Sequence, residues 1–157
     1  MSSMGPILVV EDDEEFRALL EEALRGAGYA VMVASSGAAA LELLRTTSLL
    51  PKLILLDLVM PEMGGGEFCE QLSLLDDCRC IPVFVLTGAG VARAKAETLG
   101  AALIFRKPLE LASLLDAVSR VVSAQETEPT AASEGVTQTP ARRTARGSIL
   151  SRRSSRA

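Results

Sequence analysis

The 157-residue chain contains no histidine and no tryptophan, and only 3% of its residues are aromatic. Without histidine it has no imidazole for general acid–base chemistry and cannot build a Ser-His-Asp or Cys-His arrangement. Zinc is poorly served as well, because the three cysteines, Cys69, Cys78 and Cys80, match no structural zinc spacing. They read as reduced bystander thiols rather than as a redox pair. With so few rings, the core must be built from Leu, Val, Ile and Ala. No apolar run reaches the roughly 18 residues that a membrane span needs. Met1 to Pro6 shows no basic stretch followed by an apolar segment, so no secretory signal is predicted and a cytoplasmic location is expected.

What is present is ordinary in bulk and uneven in distribution. Hydrophobic residues make up 48% and charged residues 23%, the composition of a globular protein. The net charge is −4, but residues 1–124 hold 10 basic and 17 acidic residues, whereas residues 125–157 hold six Arg and three Glu. The second stretch turns to Ser, Thr, Pro, Glu and Arg and keeps few bulky apolar residues beyond Val136, Ile149 and Leu150. Such a segment cannot bury enough apolar surface to offset its ordering entropy. One folded domain over residues 5–124 and a disordered tail over residues 125–157 are therefore predicted.

Within the folded part, strands and helices alternate. Ile7-Leu8-Val9-Val10 is a short apolar strand that runs into Glu11-Asp12-Asp13. Asp13 is placed to cap a helix over Glu14 to Arg25, with Phe16, Leu19, Leu20, Ala23 and Leu24 on its apolar face and Gly26 or Gly28 at its end. Further strands are predicted at Tyr29–Val33, around Leu53–Asp57, at Val83–Leu86 and at Ala102–Phe105. Ser36 caps a helix over Ala38–Arg45, and further helices are predicted near Glu67–Leu75, Val91–Leu99 and Leu109–Val122. Gly64-Gly65-Gly66 reads as a flexible loop. Five strands alternating with five helices predict an α/β fold, a doubly wound parallel sheet covered on both faces.

The polar residues of interest all fall at carboxyl ends of these strands, where open α/β sheets hold their ligands. Glu11 and Asp12 follow the first strand, Asp57 ends the third, Thr87 the fourth and Lys107 the fifth. Asp57 stands out, closing the apolar run Leu53-Ile54-Leu55-Leu56 between Pro51 and Pro61. Converging carboxylates suit a hard divalent cation such as Mg²⁺, which takes oxygen ligands together with phosphate oxygens. A lysine ammonium and a threonine hydroxyl suit phosphate oxygens. A carboxylate nucleophile beside a metal and a lysine is apparatus for an aspartyl phosphate.

From about Ile7 to Val122 the chain resembles the receiver domains of two-component response regulators. The resemblance rests on Val9-Val10-Glu11-Asp12-Asp13, the Leu-Leu-Asp-Leu-x-Met-Pro run around Asp57, Gly65, Val85-Leu86-Thr87 and Lys107-Pro108. It implies the flavodoxin-like strand order 2-1-3-4-5. It further implies that Asp57 accepts a phosphoryl group from a sensor histidine kinase or phosphotransfer protein. Glu11, Asp12, Asp57 and the backbone carbonyl of Val59 would then hold Mg²⁺, with Thr87 and Lys107 on the phosphoryl group. A downstream protein would read the face made by the fourth helix, fifth strand and fifth helix. The Lys107-Pro108 peptide is expected to be cis, as is common in the family. Where the family carries Tyr or Phe three residues before the lysine, this chain has Ile104, so the usual aromatic switch is not expected. Val59 and Ala89 cannot orient a hydrolytic water through a side-chain hydrogen bond, which predicts slow self-dephosphorylation.

The chain is thus read as a stand-alone signalling receiver and not as an enzyme. An aspartyl-phosphate enzyme of the haloacid dehalogenase type would want a second Asp at position 59. The alternative is a receiver-type interaction module whose basic tail binds nucleic acid or an acidic partner, through Arg142, Arg143, Arg146, Arg152, Arg153 and Arg156.

Overall fold

The computed structural model describes residues 5–88 and 93–126. The chain divides into two units, Met1–Ser119 and Arg120–Ala157. The first contains the whole sheet, and of the second only the final turns of the last helix are described.

Five parallel strands, β1 (Ile7–Val10), β2 (Val31–Ala34), β3 (Leu53–Asp57), β4 (Val83–Thr87) and β5 (Leu103–Arg106), lie in the order β2-β1-β3-β4-β5. The helices are α1 (Glu14–Gly26), α2 (Gly37–Thr46), α3 (Gly65–Ser73), α4 (Arg93–Thr98) and α5 (Leu111–Glu126). The doubly wound architecture and strand order predicted above are those observed. Every residue of β1, β3 and β4 is buried, whereas the edge strands β2 and β5 are mostly part-exposed. That difference explains why the inner strands read as unbroken apolar runs: they are covered on both faces. Phe68 of α3 and Phe84 of β4 are fully buried, and Phe84 meets Phe105 at 5.6 Å between ring centroids.

Several boundaries differ from those predicted, for local reasons. β2 begins at Val31 because the end of α1 claims Tyr29. The Tyr29 amide donates to the Leu24 carbonyl and the Gly28 amide to Arg25, with Gly28 left-handed at φ 102°. This is a Schellman closure. Gly65 and Gly66 are not loop residues but the first turn of α3, with Gly64 as its cap. A Cβ on Gly65 would stand 2.8 Å from Leu58 Cδ1 and 3.0 Å from Leu58 Cα, so close approach is what demands glycine here. β5 and α5 start slightly later than predicted, at Leu103 and Leu111. Leu19, expected on the buried face of α1, is 45% exposed. An unpredicted 3₁₀ turn spans Asp76–Cys78. α5 runs beyond its predicted end at Val122 to Glu126, taking in Gln125 and Glu126 of the predicted tail. The predicted start of the fourth helix at Val91, Ala89, and residues 127–157 of the tail lie outside the described residues.

Candidate functional site

The register of the sheet sets the site. Val10 pairs with Leu56, so Glu11 and Asp57 emerge side by side from β1 and β3. Asp57 pairs with Leu86, so Thr87 is the next residue along the neighbouring strand. Thr87 in turn pairs with Arg106, and its carbonyl accepts the Lys107 amide at 2.7 Å. All the strand-end residues singled out from the sequence therefore meet along one edge of the sheet.

Oxygens of Glu11, Asp12 and Asp57 lie within 4.8 Å of one another, the one such carboxylate cluster among the described residues. Glu11 and Asp57 are buried and Asp12 is exposed, which leaves the cluster open on one side. Lys107 reaches into it, with Nζ 3.0 Å from Glu11 Oε1 and 3.5 Å from Asp57 Oδ2. The Lys107-Pro108 peptide that follows is cis. One ammonium thus serves two buried carboxylates. The Asp57 carboxyl is pushed up from 3.8 to about 7, first by burial and then by the Glu11 charge. Lys107 and the Val59 amide, which donates to Asp57 Oδ1 at 3.2 Å, act in the opposite direction. Three oxygen-donor side chains whose mutual repulsion a single lysine only partly offsets are a fitting donor set for a hard divalent cation.

Phe16 and Arg17 were not singled out as site residues, and Asp13, read as the cap of α1, has a second role. Phe16, read only as part of the α1 apolar face, also lies under Lys107, with Nζ 4.6 Å from its ring centroid. Such a cation–π contact limits where the ammonium can go. Arg17 Nη1 donates to the Glu11 carbonyl at 2.9 Å. The Asp13 amide donates to Glu11 Oε2 at 3.1 Å, while the Asp13 side chain accepts from the Phe16 amide and caps α1. The pair Glu11 and Asp13 could have been suspected from spacing alone; the Arg17 and Phe16 contacts depend on how α1 leaves the sheet. Val59 is 61% exposed, and its amide is tied to Asp57.

The cysteines lie away from this edge and are all free. Burial pushes the Cys69 thiol up to about 11, and burial followed by the Asp77 charge pushes Cys78 up. Thiols held this way are poor nucleophiles, as bystanders would be.

Comparison with known proteins follows the same outline. The family model of the response regulator receiver domain matches residues 7–119. Sporulation initiation phosphotransferase F of Bacillus subtilis is 34% identical over 116 residues, covering 73% of this chain and 90% of that protein. The uncharacterized transcriptional regulatory protein YrkP of Bacillus subtilis is 39% identical over 93 residues, which is 59% of this chain and only 38% of YrkP. Among solved structures, the signal receiver domain of a signal transduction histidine kinase from Syntrophus aciditrophicus superposes with a TM-score of 0.69 at 31% identity, covering 90% of this chain and 98% of that one. Among the described residues no helix is long and apolar enough to cross a membrane. Receiver domains are phosphorelay signalling modules, generally without enzymatic activity of their own, and they take Mg²⁺ at an acidic pocket. Residues 7–119 carry that fold and that pocket, and the chain belongs to the response regulator receiver-domain family.

Proposed function

We propose that the chain accepts a phosphoryl group on Asp57 from the phosphohistidine of a sensor histidine kinase or phosphotransfer protein. The phosphorus–nitrogen bond breaks as a bond forms to a carboxylate oxygen of Asp57. The observation that carries this reading is the convergence of Asp57 with Glu11, Asp12 and Lys107 within hydrogen-bonding or ligand distance. Glu11, Asp12, Asp57 and the Val59 carbonyl would hold Mg²⁺, which would offset carboxylate charge and supply positive charge for the phosphoryl oxygens. Lys107 supplies a positive charge to the phosphoryl group and Thr87 a hydroxyl. The phosphorylated receiver, over residues 5–124, changes its affinity for a downstream protein through α4, β5 and α5.

A receiver serving only as a docking module would have no use for a buried, charge-crowded Asp57. Even with Lys107 and the Val59 amide beside it, a carboxyl buried next to Glu11 costs desolvation, and packing alone favours an apolar residue there. The test is incubation with acetyl phosphate and Mg²⁺ followed by intact-mass measurement. Wild type is expected to gain one phosphoryl mass and Asp57→Ala none. No gain on wild type, or the same gain on both, overturns the reading.

A further inference from the structure

Between Asp57 and α3 the chain runs through a loop over residues 58–64, and this loop carries Val59. Its near end is tied to the site and the core: the Val59 amide sits on Asp57 Oδ1, and Leu58 and Met60 are buried. The far end closes where the Gly65 amide donates to the Leu58 carbonyl at 3.0 Å. Between these ties Glu62 holds a left-handed conformation, φ 64°. A non-glycine residue keeps that conformation where surrounding contacts hold it.

The next residue supplies such a contact. Met63 packs on Gly37, the buried first residue of α2. A Cβ built on Gly37 would stand 2.8 Å from Met63 Sδ, 3.1 Å from its Cγ and 3.4 Å from its Cβ. Because the stem of the side chain faces the glycine, swinging the terminal methyl alone does not clear space. The whole side chain must turn, or the loop must move. No other side chain of the loop stands so near an α2 residue that has none.

We propose that Gly37 and Met63 form a latch that positions the 58–64 loop, and with it the Val59 carbonyl, for the divalent cation. Gly37 is then a positioning residue that acts through Met63 and never touches the site. The inference rests on the reading that this pocket takes Mg²⁺, and the experiment separates the two. Mg²⁺ is titrated calorimetrically into the full chain without any phosphoryl donor, using wild type, Gly37→Ala, Met63→Ala and the double variant. Each single variant is expected to bind Mg²⁺ about tenfold more weakly, the scale of an outer-shell loss. The double variant is expected to bind no more weakly than Met63→Ala, since the Cβ added at 37 has no long side chain left to displace once Met63 is truncated. Amide exchange should quicken at residues 59–64 and not in β1 or β4. Unchanged affinity in Gly37→Ala, or losses that multiply in the double variant, overturns the latch while leaving the metal reading intact. Wild-type binding that is absent, or untouched by Asp12→Asn, overturns the metal reading and the latch with it.

Discussion

At the scale of single residues, Asp57 is the group whose chemistry depends most on its surroundings. Its folded-state carboxyl titrates near 7 rather than 3.8, because burial and Glu11 disfavour the charge. A raised folded value means that between about pH 4 and 7 the folded protein holds a proton that the unfolded chain has lost. Folding stability contributed by this group is therefore full below pH 4 and is lost as pH rises through 7. Thermal unfolding in EDTA across that range should show this fall. Asp57→Asn should flatten it and raise stability at pH 8 by on the order of 2 kcal/mol, allowing for the partial loss of the Lys107 pairing. Saturating Mg²⁺ should restore stability to wild type at pH 8 and do little for Asp57→Asn, which a thermal scan with and without the metal would check. A second residue-scale expectation concerns Val59, whose exposed side chain offers no hydrogen bond to an attacking water. Phosphate should stay on the purified, phosphorylated protein well beyond seconds, and intact mass followed over time would reveal faster loss.

At the scale of elements, the sheet was the most legible part of the sequence and the turns the least. Ile7–Val10, Leu53–Asp57 and Val83–Thr87 are buried on both faces, so composition alone marks them. Their carboxyl ends were equally plain, because Glu11, Asp57 and Thr87 break the apolar runs. What could not be read depends on neighbours far away in sequence. Tyr29 looks like a strand residue until the Schellman closure of α1 takes its amide. The glycines at 64–66 look like a flexible loop until the backbone of Leu58 is seen against Gly65. Phe16 fits any amphipathic helix, and nothing local distinguishes a core contact from a seat for the Lys107 ammonium. Gly65→Ala tests the close approach directly. Overpacking against Leu58 should destabilise the protein by about 1–3 kcal/mol, measured by denaturant unfolding, whereas a truly flexible loop would be indifferent or gain from the added helix propensity. Asp13→Ala should cost about 1 kcal/mol through the lost α1 cap.

For the molecule as a whole, charge is divided along the chain. Residues 1–124 carry a net −7, while residues 125–157 carry six Arg against three Glu. Every residue placed at the site lies before position 108, so deleting residues 125–157 is expected to leave phosphoryl uptake from acetyl phosphate unchanged. The same deletion decides whether the arginines reach nucleic acid. Such an arm would lower DNA retention on deletion and show a steep salt dependence, and equal retention at low salt removes that reading.

The shared lysine has a consequence for how the pocket meets ions. Because Lys107 already stands between Glu11 and Asp57, a divalent cation arriving there would have to compete with an ammonium for two carboxylates, rather than meet bare charge. Such competition would lower the net gain from the incoming ion. It would also leave the ammonium close to its former contacts, where an incoming phosphoryl group would meet it. Lys107→Met should therefore separate two properties that usually travel together: tighter Mg²⁺ binding by calorimetry and slower uptake of phosphoryl groups. In the proposed phosphorelay the lysine would thus act as a stand-in cation until the metal arrives, and would then be near at hand for the anion that follows.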